Sequence, residues 1–237
     1  HSLASASSDQ TVRLWNISAG QVLHVLEHTD QVWSVTFAPD GRTLASLSDD
    51  SILWIWDVDS GRLLRTITVG TGKVSSVAFS PEPLDGRSLV LASANGNHTV
   101  QVWDATNGEL VRTLEGYSQA VIGVAFSPDA RTLISSGKDG TVRVWDTHTW
   151  GVTHTYQASA GVLNMALSRD GRMLALGCQD RMMRLVDATN GELARTLDGY
   201  YMTQIAFSPD KRTLASEHNG DIVLLDINTG QIRQKFE

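Results

Sequence analysis

His28, Ser46 and Asp50 supply the residue types of a nucleophilic triad: a hydroxyl to attack, an imidazole to take its proton, and a carboxylate to orient the imidazole. Gly70-Thr71-Gly72-Lys73 carries the glycines and lysine of a phosphate-cradling loop, and Ser135-Ser136-Gly137-Lys138 spells Ser-x-x-Lys. Each group needs an element to aim it. A phosphate loop needs a leading glycine, a hydroxyl after the lysine for Mg²⁺, and a helix to open. Here Val74 follows Lys73, and the segment falls between two strand-like runs. Ser135–Lys138 ends such a run instead of starting a helix, so its spelling carries no acylation chemistry. Cys178, the single cysteine, excludes an internal disulfide framework and a multi-cysteine zinc site. It falls in a strand, where a buried inert thiol is expected. Asn16-Ile17-Ser18 and Asn97-His98-Thr99 spell glycosylation acceptors, which matter only in a eukaryotic secreted protein.

The elements follow from an internal repeat. Trp15-Asn16, Trp56-Asp57, Trp103-Asp104 and Trp145-Asp146 each end a short alternating run, and Val186-Asp187 and Leu225-Asp226 continue the series. The spacings are 41, 47, 42, 41 and 39 residues. Phe37, Phe79, Phe126, Leu167 and Phe207 keep the same register. So do Gly20, Gly61, Gly108, Gly151, Gly191 and Gly230, five or six residues after each Trp position. In the second unit Val32–Phe37, Leu44–Ser48, Ile52–Trp56 and Leu63–Ile67 read as four strands, with Pro39-Asp40-Gly41 as a tight turn. No amphipathic helical stretch of ten residues occurs, so the class is all-β. Four-stranded units of about 40–45 residues ending in Trp-Asp have the spacing of propeller blades. The seven histidines scatter over different positions of the repeat, which favours packing or surface roles over metal ligation.

Composition removes other classes. Of 237 residues 41% are hydrophobic and 19% charged, which is globular usage. No run of 18 apolar residues spans a membrane and no signal peptide is visible, so the expectation is a cytoplasmic protein without a membrane partner. The net charge is −7, with 7 basic and 13 acidic residues in 1–118 and 12 and 13 in 119–237. Neither part is basic, which argues against nucleic acid as the partner.

These residues resemble the WD-repeat family over essentially the whole chain, and Val32 to Asp57 follows its pattern nearly position by position. The identical segments Asp104–Leu110 and Asp187–Leu193 look like the recent duplications of bacterial members. The resemblance implies a single β-propeller domain over 1–237: an arc of five complete four-stranded antiparallel blades plus an N-terminal blade lacking its first, channel-lining strand. About fifteen upstream residues, or further blades, are expected to complete it. It also implies that His28, Ser46, Asp50 and Trp56 form one buried hydrogen-bonded chain, a structural network and no triad. Elsewhere Tyr117 and Tyr200 take the histidine place. Asp139 is then expected to bond Tyr117, and Asp180 to lack a side-chain partner.

The resemblance further implies a non-catalytic scaffold for a protein or peptide, without cofactor or metal. The strands expected to line the channel, Val32–Phe37, Val74–Phe79, Val121–Phe126, Val162–Leu167 and Met202–Phe207, contain no Asp, Glu, His, Cys, Lys or Arg, so they offer no base, nucleophile or metal cage. The alternative is a sensory or regulatory module of a larger bacterial kinase or NTPase. Family binding surfaces map onto Gln31, Trp33, Asp49, Lys73, Ile122, Lys138, Leu163, Tyr201, Thr203 and His218, which flank the starts of the first strands or precede the Asp-bearing turns. Strand alternation turns Trp33, Ile122 and Leu163 out of the paired apolar register. The lengthened turn 81–86 is expected at the opposite end of its blade.

Overall fold

A computed structural model describes residues 2–70, 72–87, 89–198, 204–218 and 220–236, with the backbone alone at Asp198 and His218. The described secondary structure is all β, in consecutive antiparallel meanders. The first has three strands: β1 (Ser2–Ala6), β2 (Thr11–Asn16) and β3 (Gln21–Glu27). Five blades of four strands follow. The second blade is β4 (Val32–Phe37), β5 (Thr43–Ser48), β6 (Ile52–Asp57) and β7 (Leu63–Thr68). The third is β8 (Val74–Phe79), β9 (Val90–Asn95), β10 (Val100–Asp104) and β11 (Leu110–Leu114). The fourth is β12 (Val121–Phe126), β13 (Thr132–Gly137), β14 (Thr141–Asp146) and β15 (Val152–Gln157). The fifth is β16 (Val162–Leu167), β17 (Met173–Cys178), β18 (Met182–Asp187) and β19 (Leu193–Asp198). The sixth is β20 (Ile205–Phe207), β21 (Thr213–His218), β22 (Asp221–Asp226) and β23 (Ile232–Phe236). The expected fold class holds, including the N-terminal blade that is one strand short.

The strands fall into two compact units, His1–Glu115 with the first three blades and Gly116–Glu237 with the last three. Period-two alternation on the third strand of each blade builds the cores. Leu53 and Ile55 point to one side of β6 and pack with Val74, Val77, Leu91 and Trp103 of the third blade. Trp56 points to the other side and joins Val12, Leu14 and Leu26 of the first blade. In the second unit Val142 and Val144 pack with Val162, Leu174 and Val186, and Met183 and Leu185 with Leu214 and Leu225. A fully buried leucine contributes roughly 1.5–3 kcal/mol. The 3.6-residue pattern of a helix would scatter these side chains, so the same alternation excludes helix and fixes register.

The turns carry their own chemistry. Asp40 Oδ1 accepts from the Arg42 and Thr43 amides at 2.8 and 2.9 Å. Gly61 follows Trp56 because its φ is +66°, the left-handed region that glycine enters without Cβ strain. In the fourth blade the marker slips to Gly151 because Trp150, with φ +58°, takes the left-handed place and donates its amide to the Asp146 carbonyl at 2.7 Å. The 81–86 insertion is a miniature hairpin: Leu84 and Arg87 exchange both backbone bonds (3.1 and 2.8 Å), and Asp85 and Gly86 have φ of +49° and +76°. Asp-Gly suits that two-residue turn. Because the blade is a meander, this hairpin lies at the end of β8 and β9 away from Lys73.

Candidate partner-binding surface

The first strands of the second to fifth blades are each bulged at their second residue. Val32 pairs with Ser48 and Ser34 with Leu47, leaving Trp33 as the extra residue. The same shift leaves out Ser75, Ile122 and Leu163. A bulge re-aims one side chain out of the pleat, and this places Trp33, 55% exposed, and Leu163, 42% exposed, on the surface. Ile122 is half-buried. Beside each bulge the residue before the turn aspartate, or before Asn97 in the third blade, donates its amide to the carbonyl of the residue before the strand: Asp49 to Gln31 (2.9 Å), Gly96 to Lys73 (2.7 Å), Lys138 to Ala120 (2.9 Å) and Gln179 to Gly161 (2.9 Å). The sequence positions are therefore joined in pairs by backbone bonds.

In the first unit three expected residues converge. Lys73 Nζ lies 4.6 Å from the centroid of the Trp33 ring and 2.7 Å from Asp49 Oδ1. Gln31 is tied by its amide to Asp30 Oδ1 at 2.8 Å. In the second unit Lys138 is exposed near the start of the Ile122 strand, and a Cβ added to Gly161 would come within 2.2 Å of the Lys138 carbonyl, so glycine is required there. Tyr201 and Thr203 lie outside the described residues, as does the His218 side chain; the His218 backbone pairs with Asp221.

The polar network of the second blade divides into two chains. His28 Nδ1 donates to the Leu26 carbonyl (3.0 Å), which can only accept, so Nε2 accepts from Ser46 Oγ at 2.6 Å. Ser46 Oγ in turn accepts the Trp56 indole N–H at 2.8 Å. Asp50 stands apart from this chain: it accepts from Ser48 Oγ and Thr29 Oγ1, both at 2.5 Å, and Ser48 Oγ accepts from Trp54 Nε1 at 2.9 Å. The expected single chain is divided because Ser46 and Ser48 share one face of β5, two residues apart, and each serves its own tryptophan. Trp54 and Trp56 stack at 5.8 Å between centroids, with His28 at 5.0 and 5.1 Å. Burial pushes the His28 pKa down, against weaker upward pulls from the Leu26 bond and Asp50. Burial would raise that of Asp50, but its hydrogen bonds from Ser48 and Thr29 outweigh this and hold it low.

The indole–serine bond recurs at Trp15–Ser5 (2.9 Å), Trp103–Ser93 (3.0 Å) and Trp145–Ser135 (2.7 Å). A serine ten residues before each of these blade-closing tryptophans is the sequence signal for the bond. Ser135 also meets the Tyr117 hydroxyl at 2.6 Å, so Tyr117 does not bond Asp139 as expected; the Ser118 amide donates to Asp139 instead, at 2.8 Å. Asp180, expected to lack a side-chain partner, has one. Arg184 reaches it at 3.0 and 2.5 Å and also meets Ser159. Arg184 occupies the place of Trp54, four residues after the aspartate, and its hydrogen bonds hold the Asp180 carboxyl low.

No cluster of three or more His, Cys, Asp or Glu suited to a metal occurs among the described residues. A groove of about 530 Å³ in the second unit is lined by Asp129, His154, Asp170 and Arg172 among others. Its carboxylates are already engaged: Asp129 by Ser127 (2.6 Å), and Asp170 by Ser168 and Lys211 (both 2.7 Å). Among the described residues no helix is long and apolar enough to cross a membrane.

The family model for the WD domain, G-beta repeat, matches residues 1–16, 20–57, 61–104 and 108–146. Nuclear distribution protein PAC1 of Coccidioides posadasii (strain C735) is 30% identical over 204 residues, covering 84% of this chain and 35% of its own length. Guanine nucleotide-binding protein subunit beta-1 of Drosophila melanogaster is 30% identical over 109 residues, 43% of this chain and 32% of its own. The F-box-like/WD repeat-containing protein TBL1X of Mus musculus is 54% identical over 41 residues, 17% and 8% respectively. The chain thus spans about a third or less of each relative. With tryptophan-terminated blades, indole–serine bonds and the matching repeat model in one register, the chain belongs to the WD-repeat family.

Proposed function

We propose that this protein is a non-catalytic scaffold that binds a protein or peptide through the blade ends carrying the turns between second and third strands. The contact residues are Gln31, Trp33, Asp49 and Lys73 in the first unit. In the second they are Ile122, Lys138 and Leu163, with Tyr201, Thr203 and His218. The observation that carries this reading is the bulge at Trp33, which holds a large aromatic side chain 55% exposed on a rigid strand. Exposed aromatic anchors with a polar rim are the composition of binding hot spots. The family supports the reading, since its relatives include a G-protein subunit and an F-box-like protein. His28 and Ser46 are committed to burying Trp56, which leaves them no nucleophilic role.

The test is capture of binding proteins by the wild-type chain and by a Trp33→Ala/Tyr201→Ala variant. Loss of a bound protein from the double variant, at unchanged melting temperature, is the expected outcome. Retention of the whole bound set would move the site to the rim or the 81–86 hairpin.

A further inference from the structure

Trp33 is the one aromatic side chain at a described bulge position, and it is not bare. The Lys73 ammonium lies over its ring at 4.6 Å and, at the same time, 2.7 Å from Asp49. An aromatic face beside a carboxylate is a receptor for a cation, because ring quadrupole and carboxylate attract the same charge. The chain itself fills that receptor. The occupant is held loosely: the Lys73 side chain is 57% exposed and that of Asp49 36%. Exposed ion pairs and exposed cation–π contacts are both weak. Only the Lys73 backbone is fixed, by the Gly96 amide at 2.7 Å, where an added Cβ on Gly96 would crowd the Lys73 carbonyl at 3.0 Å. Asp50 is occupied by Ser48 and Thr29, which leaves Asp49 as the carboxylate facing the cation. Residues 1–115 hold 7 basic and 13 acidic side chains, so a basic segment is drawn towards this unit.

We propose that Trp33 and Asp49 form a cradle for an arginine or lysine side chain of a basic partner segment, and that Lys73 occupies the cradle until the partner displaces it. This rests on the scaffold reading and specifies its ligand. Arginine is the better guest, because a planar guanidinium stacks on the indole and presents two parallel N–H donors to the carboxylate.

The probes are four capped pentapeptides, Gly-Gly-X-Gly-Gly, with X as Arg, Lys, Gln or Glu. Binding is read from the Trp33 indole N–H resonance, assigned by its loss in Trp33→Phe. The Arg peptide should bind more tightly than the Lys peptide, with Gln and Glu peptides silent. Lys73→Gln should strengthen Arg-peptide binding by about fivefold, and Asp49→Asn in the Lys73→Gln background should reverse the gain. Lys73→Met, which also removes the competing charge, serves as the second variant if Lys73→Gln perturbs the fold. Unchanged or weaker Arg-peptide binding in both Lys73 variants, or equal binding of the Glu peptide, would overturn the cradle. A flat peptide series with partner capture still lost in Trp33→Ala would sink the cradle and leave the scaffold. A responsive series with partner capture unchanged in Trp33→Ala would overturn the cradle as that partner's site and move docking to the rim or the 81–86 hairpin.

Discussion

Ser46 Oγ accepts from Trp56 and donates to His28, all three groups being buried. Ser46→Ala therefore orphans an indole N–H and an imidazole nitrogen together, at an expected cost of about 2–4 kcal/mol in urea unfolding; a loss below about 0.5 kcal/mol would show the chain to be energetically idle. The tautomer gives a second prediction. Protonated His28 would carry a hydrogen on Nε2 facing Ser46, whose own proton would then lack its acceptor. Burial holds the folded pKa below 6.5, so the unfolded chain binds the proton first. The His28 contribution is complete above 6.5 and declines as pH falls from 6.5 through the lowered folded value. The carboxylates with lowered values, such as Asp50 and Asp180, act in a separate window, below their ordinary 3.8. Denaturant melts from pH 7 to 4.5 should show this first decline, and His28→Gln should flatten it; an unchanged slope in the variant would assign the decline elsewhere. His28, Ser46 and Trp56 were legible through the family resemblance, which implies that a histidine, a second-strand serine and the closing tryptophan bond one another. The separate Asp50 chain was not, because it depends on Trp54, which stands where three other blades carry arginine.

Elements were the most legible level. Alternation, Trp-Asp endings and turn residues name the strands, since every blade repeats one packing problem. What sequence could not show was the bulge. Trp33, Ile122 and Leu163 alternate like ordinary strand residues until pairing with the second strand skips them. The six-residue offset of Gly151 shows in the sequence but its cause does not, because an aromatic residue, Trp150, adopts a φ that composition assigns to glycine. Close backbone approach beside the bulges gives a graded prediction. A Cβ on Gly161 would lie 2.2 Å from the Lys138 carbonyl, whereas one on Gly96 would lie 3.0 Å from the Lys73 carbonyl. Both alanine variants should lose stability, Gly161→Ala by about 2–3 kcal/mol and Gly96→Ala by about 1 kcal/mol. Thermal melts in which Gly96→Ala is the more damaging would contradict the geometry.

For the molecule as a whole, the charge distribution and the exposed aromatic belong to the same account. The acidic excess is confined to the first three blades, where Trp33, Asp49 and Lys73 meet, while 119–237 is near balance with 12 basic and 13 acidic residues. Unequal charge speeds and orients encounter, and a buried anchor then sets the residence time. The most direct measurement is isothermal titration of a captured partner, purified, against three chains of equal melting temperature: wild type, Trp33→Ala, and Leu84→Ser in the 81–86 hairpin. Trp33→Ala is expected to weaken binding by about 2 kcal/mol or more, roughly thirtyfold, while Leu84→Ser leaves it unchanged. Equal affinity for wild type and Trp33→Ala, with the loss falling on Leu84→Ser, would contradict it.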